Sequence, residues 1–166
     1  FHTLVPDMGL ADRTNQLSIG QVERLDAQMP DLSLMGSISR NVIVEVGGGH
    51  VELRYDLVFG PLFEQLGIHL NGRALSRTAT QLPIRETPTR EVIISQALAT
   101  RLYGKPELAL DRTLRIANMQ WRLQVDPMWE DFLIVGIASP AFLGIDVERP
   151  ADFWMGINGW SNVLFP

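Results

Sequence analysis

Residues 41–58 read NVIVEVGGGHVELRYDLV, in which two β-rich runs lie on either side of three consecutive glycines. Glycine adopts positive φ at no steric cost, so residues 47–49 suit a tight reversal of the chain. In the second run, apolar residues alternate with polar ones from His50 to Asp56, which is the period of a strand with one face on a core and one in water. The sequence therefore predicts a β-hairpin.

Short helices are predicted on both sides of this hairpin. Ser18 and Gln21 have the spacing of a capping box, and apolar residues then recur at helical intervals until Pro30, which predicts a helix over residues 18–29. A second helix of about two turns is predicted within residues 60–67, where Gly-Pro stands at the start and Gly at the end.

The second half of the chain follows a connector. Residues 74–90 contain Ser, Thr and Pro without a sustained hydrophobic period, which is typical of a link between two parts. Beyond it, the pattern predicts a strand, a Ser-capped helix and two buried strands, at residues 92–94, 95–103, 113–117 and 132–138. Because hairpins and short helices mix without regular βα alternation, we expect an α+β fold with mixed, largely antiparallel sheets. We place two small lobes at residues 1–76 and 90–166, joined by residues 77–89.

The composition restricts the possible partners. The 166 residues are 46% apolar and 20% charged, which is enough to build the core of a globular domain. A formal net charge of -5 without a basic run argues against nucleic acid as a partner, because binding to the phosphate backbone requires clustered Lys and Arg. The absence of Cys rules out disulfides and thiolate metal sites.

The ends of the chain suggest a part of something larger. No run of about 18–20 apolar residues is present, so no membrane span is predicted. The sequence begins at Phe1 without an initiator Met or a signal-peptide pattern. We expect residues 1–166 to be one domain of a longer protein.

Several segments resemble MacB-like periplasmic core domains of ABC-transporter permeases of the MacB/FtsX kind. FEQLGIHLNGR at 63–73 is similar to the family's aromatic, Leu-Gly and Gly-Arg series after a hairpin. VIISQALATRLYG at 92–104 and RTLRI at 112–116 resemble its strand and helix that end in an aromatic residue and Gly, followed by an Arg-Thr strand. FLIVGIA at 132–138 and PADFW at 150–154 resemble two later strands. These segments occur in the family's order, and the glycines at 67, 72, 104 and 136 have the character of architectural positions.

The resemblance implies a function without catalysis. The parent would be a bacterial inner-membrane permease, with this domain in the periplasm and a cytoplasmic ABC ATPase subunit or domain as its partner. The domain would engage substrate or a partner protein and couple that contact mechanically to the transport cycle; a permease dimer mate or a periplasmic adaptor is a further partner of this kind. The chain departs from the family pattern at Asp111, where Gly usually precedes Arg-Thr, and at the longer segment 118–131.

Enzymatic motifs find little support in the sequence. His2, His50 and His69 lack the i, i+4 pairing of a zinc hydrolase, and the glycines at 47–49 are followed by a strand where a phosphate loop needs a helix. There is no G-x-S-x-G motif and no Cys nucleophile. Six carboxylates remain as a candidate source of a catalytic pair or as solvated loop charges: Asp126, Glu130, Asp131, Asp146, Glu148 and Asp152. We predict no catalytic residue, no metal and no cofactor.

Aromatic and Met side chains near the end of the chain offer a candidate contact surface. Trp121, Met128, Trp129 and Trp160 are the side chains that we predict for a partner or substrate surface. The alternative interpretation is that these side chains cover one end of the core.

Two other functions stay open at this level. A stand-alone extracytoplasmic ligand-binding or sensor domain would require a defined pocket with convergent polar groups. A small hydrolase would require two carboxylates in a cleft, at least one of them with a perturbed pKa.

Overall fold

The computed structural model describes residues 17–83, 87–117 and 129–160. Helix α1 spans Ile19–Gln28 and begins at Ser18, whose hydroxyl accepts a hydrogen bond from the Gln21 N–H while the Gln21 side chain accepts one from the Ser18 N–H. The capping box predicted from the sequence is thus confirmed, and Val22 is the residue of this helix that is buried in the core.

The predicted hairpin is confirmed and longer than expected. Strand β1, Gly36–Val46, pairs with β2, Gly49–Phe59, in an antiparallel register that extends from Gly36 opposite Phe59 to Val46 opposite Gly49. Gly47 and Gly48 form the turn at φ values of 58° and 80°. These positive φ values are the physical reason for glycine at the tip.

The remaining elements are short. After the hairpin come helix α2, strand β3, helix α3, strand β4, helix α4, a 3₁₀ turn and strands β5 to β7. Their bounds are Leu62–Gln65, Leu70–Gly72, Arg77–Thr80, Glu91–Ser95, Gln96–Tyr103, Pro106–Ala109, Thr113–Ala117, Trp129–Ala138 and Phe153–Gly156. The sequence indicated neither β3 nor α3, because elements of three or four residues are too short to show a period.

One mixed sheet contains all seven of the described strands, in the order β3-β6-β4-β7-β2-β1-β5, and β5 also pairs with β6. The β2–β7 and β4–β6 pairs are parallel and the other pairs are antiparallel. The predicted α+β class is therefore confirmed. The division into lobes stays a prediction; in the described chain, strands from residues 1–76 and from residues 90–166 lie side by side in the same sheet.

The sheet buries side chains on both faces. One cluster is built around Tyr55, Ile94, Phe132, Phe153 and Trp160, and the other around Val58, Phe63, Ile93, Val135 and Trp154. The second cluster changes one expectation for β2. His50 and Glu52 lie in solvent as predicted, but Asp56 is only 2% exposed because the segment between β6 and β7 covers this end of the strand.

Candidate functional site

A cleft of about 660 Å³ lies beside the end of β2. Its walls come from the segment between α1 and β1, from the turn after β2 and from α2 and α3. Its floor is apolar and includes the buried side chains Phe59, Phe63 and Leu75. The volume of this cleft falls within the range of ligand sites in proteins, about 300–1,000 Å³.

Backbone contacts at Gly60 bring the walls together. Its N–H donates a hydrogen bond of 2.9 Å to the Thr80 carbonyl, which ties the end of β2 to α3. Gly60 has a φ of 70° and lies so close to the backbone of Leu34 that a Cβ atom would collide with it. Only glycine allows both this conformation and this approach, so the cleft depends on Gly60.

Two polar side chains, the buried Asn158 and the half-buried Glu91, hold the wall formed by residues 74–83. Asn158 is fully buried, and its side-chain amide donates to the Thr78 and Gln81 carbonyls at 3.0 and 2.8 Å. Glu91 accepts from the Ser76 N–H and from Arg73, each at 2.8 Å. Burial alone would raise the pKa of Glu91, but the hydrogen bonds from Arg73 and Ser76 hold it below its usual value. The ionised carboxylate therefore fixes the start of α3.

The rim of the cleft is predominantly acidic. Three carboxylates, Asp26, Asp31 and Glu64, line it together with one guanidinium, that of Arg77. Within the described residues none of these three carboxylates forms an ion pair or a side-chain hydrogen bond, in contrast to the carboxylates of Glu91 and Asp146. The cleft thus combines an apolar floor with uncompensated negative charge.

A buried carboxylate, that of Asp56, lies outside the cleft. Asp56 accepts a hydrogen bond of 2.6 Å from the Ser39 hydroxyl, and its other oxygen lies under Gly144. Burial raises the pKa of Asp56, the Ser39 hydroxyl and the Arg54 guanidinium lower it, and the charge of Asp146 raises it again. Asp56 is enclosed by the fold and is not accessible to a substrate.

Two of the four side chains predicted for a contact surface, Trp129 and Trp160, lie among the described residues, and they differ in burial. Trp121 and Met128 lie outside the described residues. Trp129 begins β6, is half-buried and stacks on His50 with ring centroids 4.7 Å apart. Trp160 is 1% exposed, and its indole N–H donates to the Tyr55 hydroxyl at 3.2 Å. Trp160 is a core side chain, and its ring packs edge-on against Phe132. The contact surface itself stays a prediction.

Three of the six acidic residues considered for a hydrolase form ion pairs or hydrogen bonds with other parts of the fold. Glu130 pairs with Arg90, Asp146 pairs with Arg149, and Asp152 accepts a hydrogen bond from the backbone N–H of Arg54. Asp131 and Glu148 are exposed, and Asp126 lies outside the described residues. Among residues 17–83, 87–117 and 129–160, no group of three or more His, Asp or Glu side chains is placed to hold a metal ion.

Sequence reasoning missed the cleft. Its carboxylates are isolated in the sequence at positions 26, 31 and 64, and no short motif contains more than two of them. A usable signal was the pair of apolar residues, Leu32 and Leu34, that follows Asp31 in the segment DLSL at 31–34, after the predicted end of a helix. No helix in the described part of the chain has the length and apolar character required to cross a membrane.

Solved structures share this fold. The periplasmic region of MacB from Actinobacillus actinomycetemcomitans matches with a TM-score of 0.55 at 12% identity, covering 83% of this chain and 55% of that one. The extracellular domain of the noncanonic ABC-type transporter YknZ from Gram-positive bacteria matches with a TM-score of 0.50 at 12% identity, covering 75% of this chain and 54% of that one. This chain therefore has the fold of extracytoplasmic domains of ABC-transporter permeases, which confirms the resemblance seen in the sequence.

The extent of these matches is partial. The chain spans a little over half the length of each of the two matched domains. No protein-family model matches the sequence, and no curated protein matches it.

Proposed function

We propose that the chain is the extracytoplasmic part of a bacterial ABC-transporter permease and that it acts without catalysis. The shared fold with the MacB and YknZ domains is the observation that carries this proposal. A fold alone does not define a function, so the proposal also draws on the site. The site is a cleft with acidic and apolar lining, which is suited to binding.

In this function the domain engages a substrate or a partner protein and transmits that contact to the membrane part of the permease. The permease would lie in the inner membrane, with the domain in the periplasm and an ABC ATPase on the cytoplasmic side. A permease dimer mate or a periplasmic adaptor is the further partner that we propose. Asn158, two residues after β7, donates hydrogen bonds to the wall of the cleft, which supports such coupling by connecting the cleft directly to the central sheet.

Labelling with a membrane-impermeant maleimide tests the location. The chain contains no Cys, so single cysteines can be placed on α4, whose Ala97 is exposed and whose Ala99 is fully buried. In spheroplasts that express the parent gene with its other cysteines replaced, we expect Ala97→Cys to react from outside and Ala99→Cys to stay unlabelled until denaturation. Labelling of Ala97→Cys only after lysis would place the domain in the cytoplasm and contradict the proposal.

The cleft also favours the alternative of a stand-alone extracytoplasmic ligand-binding or sensor domain. The two functions differ in their attachment. If the chain is part of a permease, the parent protein should stay in the membrane fraction after carbonate extraction and copurify with an ATP-binding-cassette ATPase. If it is a stand-alone sensor, the protein should be released from the membrane fraction and should copurify with no such ATPase.

A further inference from the structure

The rim of the cleft carries negative charge that no basic side chain in the described part of the chain pairs. Asp26, Asp31 and Glu64 lie on three different segments, namely α1, the turn after it and α2. Within the described residues they pair with no basic side chain, and Arg77 is the single cation among the lining residues. Carboxylates spaced around a cleft favour an occupant that carries several positive charges.

The apolar surface continues beyond the floor of the cleft. Leu32 lines the cleft and is 52% exposed, and Met29, one residue before the lining residue Pro30, is 44% exposed. These are two of the six large apolar side chains that stand out in solvent in the described structure. The Leu32 N–H donates a hydrogen bond of 2.9 Å to the Met29 carbonyl, so the two residues share one turn beside the cleft. An occupant that extends past the floor onto this lip would cover them.

We propose that this cleft binds a segment of a partner protein in which apolar side chains are interspersed with Lys or Arg. The inference rests on the proposed function and specifies the partner that the domain engages. Apolar side chains of the segment pack on Phe63, Leu75 and Leu32, and its basic side chains meet Asp26, Asp31 and Glu64. Backbone contacts at Gly60 and the amide of Asn158 hold the walls in place beforehand, which limits the entropy lost on binding.

The distribution of charge favours a segment over a small ligand. A small amphiphile in the cleft would present one cationic group, whereas the three carboxylates come from separate elements. It would also leave the lip residues Met29 and Leu32 exposed. An extended segment meets both requirements, since it offers several cations and covers the lip.

Three labelled nonapeptides serve as probes of the 166-residue chain, with binding measured by fluorescence anisotropy at physiological ionic strength. One alternates Lys with Leu, one Lys with Ser and one Glu with Leu. We expect the Lys-Leu peptide to bind most tightly. The double variant Asp31→Asn/Glu64→Gln should raise its Kd about fivefold, as expected for the loss of two exposed charge pairs.

A matched control separates the cleft from the overall negative charge of the chain. Asp131→Asn/Glu52→Gln removes the same two charges from exposed strand positions outside the cleft and should change Kd by less than about twofold. Leu32→Ser should weaken binding of the Lys-Leu peptide more than that of the Lys-Ser peptide. Circular dichroism and thermal unfolding of each variant verify that the fold is kept.

Three results would overturn the inference. Equal weakening by the two double variants would show that net charge alone attracts the peptide. Equal affinity for the Glu-Leu peptide would remove the charge argument. Tighter, cleft-dependent binding of dodecylammonium than of the Lys-Leu peptide would assign the cleft to a small amphiphile. Each of these results leaves the maleimide labelling unaffected, so a failure of this inference is distinct from a failure of the proposed function.

Discussion

Two aspartates show how far a single residue can depart from its local pattern. Asp56 occupies the polar face of a strand by sequence, yet it is 2% exposed and has a raised pKa. Asp111 has a φ of 61° and is the only described residue other than glycine with a positive φ. Its backbone N–H donates to the Ile134 carbonyl at 3.0 Å, which holds the residue in this conformation. Each aspartate therefore carries a local cost that substitution can measure.

Substitution of Asp56 by Asn should change how stability depends on pH. Burial raises the pKa of Asp56 in the folded state. The contribution of this carboxyl group to the free energy of unfolding is therefore fully present below the unfolded pKa of about 3.9, and it is lost as the pH rises through the higher folded pKa. Asp56→Asn removes this titration while its carbonyl can still accept from Ser39. In urea unfolding, the free energy of unfolding of the variant minus that of the wild type should therefore increase from acidic to neutral pH.

The control for this prediction is Asp131→Asn, which makes the same chemical change at an exposed carboxylate of β6, and the result for Asp56→Asn is compared with it at each pH. A stability difference for Asp56→Asn that is the same at both pH values would refute the raised pKa.

Substitution of Asp111 by Gly should stabilise the fold. The left-handed conformation costs a residue with a side chain about 1–2 kcal/mol, and Gly removes this cost. Part of that gain in stability is offset because Gly has greater conformational freedom in the unfolded chain. We expect a gain of about 0.5–1 kcal/mol in the free energy of unfolding for Asp111→Gly. The same change at Asp131, in the exposed part of β6, should instead lower it by about 1 kcal/mol. A loss at position 111 would contradict this account.

At the scale of elements, close packing of short segments decides the architecture. Gly72 of β3 pairs with Gly136 of β6, and a Cβ atom on Gly136 would lie 2.5 Å from the Arg73 carbonyl oxygen. This close approach allows β3 and the following residue, Arg73, to lie against β6. The chain then continues from Arg73 into α3. The resemblance to the permease family pointed to both glycines, and their architectural role is confirmed.

Substitution of Gly136 by Ala should separate these segments. The added methyl group would meet backbone at 2.5 Å and the Ile93 side chain at 3.2 Å, so we expect a loss of about 1–3 kcal/mol in thermal or urea unfolding. The matched control is Gly20→Ala on α1, where nothing lies within 4 Å of the added atom. That change should raise stability by about 0.5–1 kcal/mol. Equal effects at the two positions would disprove the close approach.

Helix α4 attaches through its buried face. Leu98 is 3% exposed in the main cluster, so Leu98→Ala should cost about 2–5 kcal/mol in urea unfolding. Leu66 is only partly buried at the end of α2, and Leu66→Ala should cost less, about 1–2 kcal/mol. A larger loss at Leu66 than at Leu98 would reverse the order of burial described above.

At the scale of the whole molecule, the two halves of the chain interlock. Strand β7 lies between β2 and β4, and Trp160 donates to Tyr55 across 105 residues of sequence. Burial raises the pKa of the Tyr55 hydroxyl to about 12, in spite of the hydrogen bond from Trp160 and the charge of Arg40, which both lower it. A core residue from the first half thus depends on the second half for its environment.

This interlocking predicts cooperative unfolding of the halves. In urea, tryptophan fluorescence and far-ultraviolet circular dichroism should give the same midpoint, because both halves contribute to one sheet. Two separated transitions would instead support independent lobes at residues 1–76 and 90–166. Trp160→Phe provides a check, since loss of its contact with Tyr55 should lower the common midpoint without dividing the transition.

The sequence by itself determined the capped helices, the β-hairpin and the fold class of this protein, but not the short elements β3 and α3. The capping box at Ser18, the glycine turn at 47–48 and the Ser95 cap of α4 depend on hydrogen bonds and φ angles between near neighbours, so their patterns are legible in the chain. Only the tertiary structure decided the burial of Asp56, the core position of Trp160 and the cleft. Each of these features depends on contacts between segments far apart in sequence. The free energy of such contacts depends on which face of a strand or helix the neighbouring segment covers.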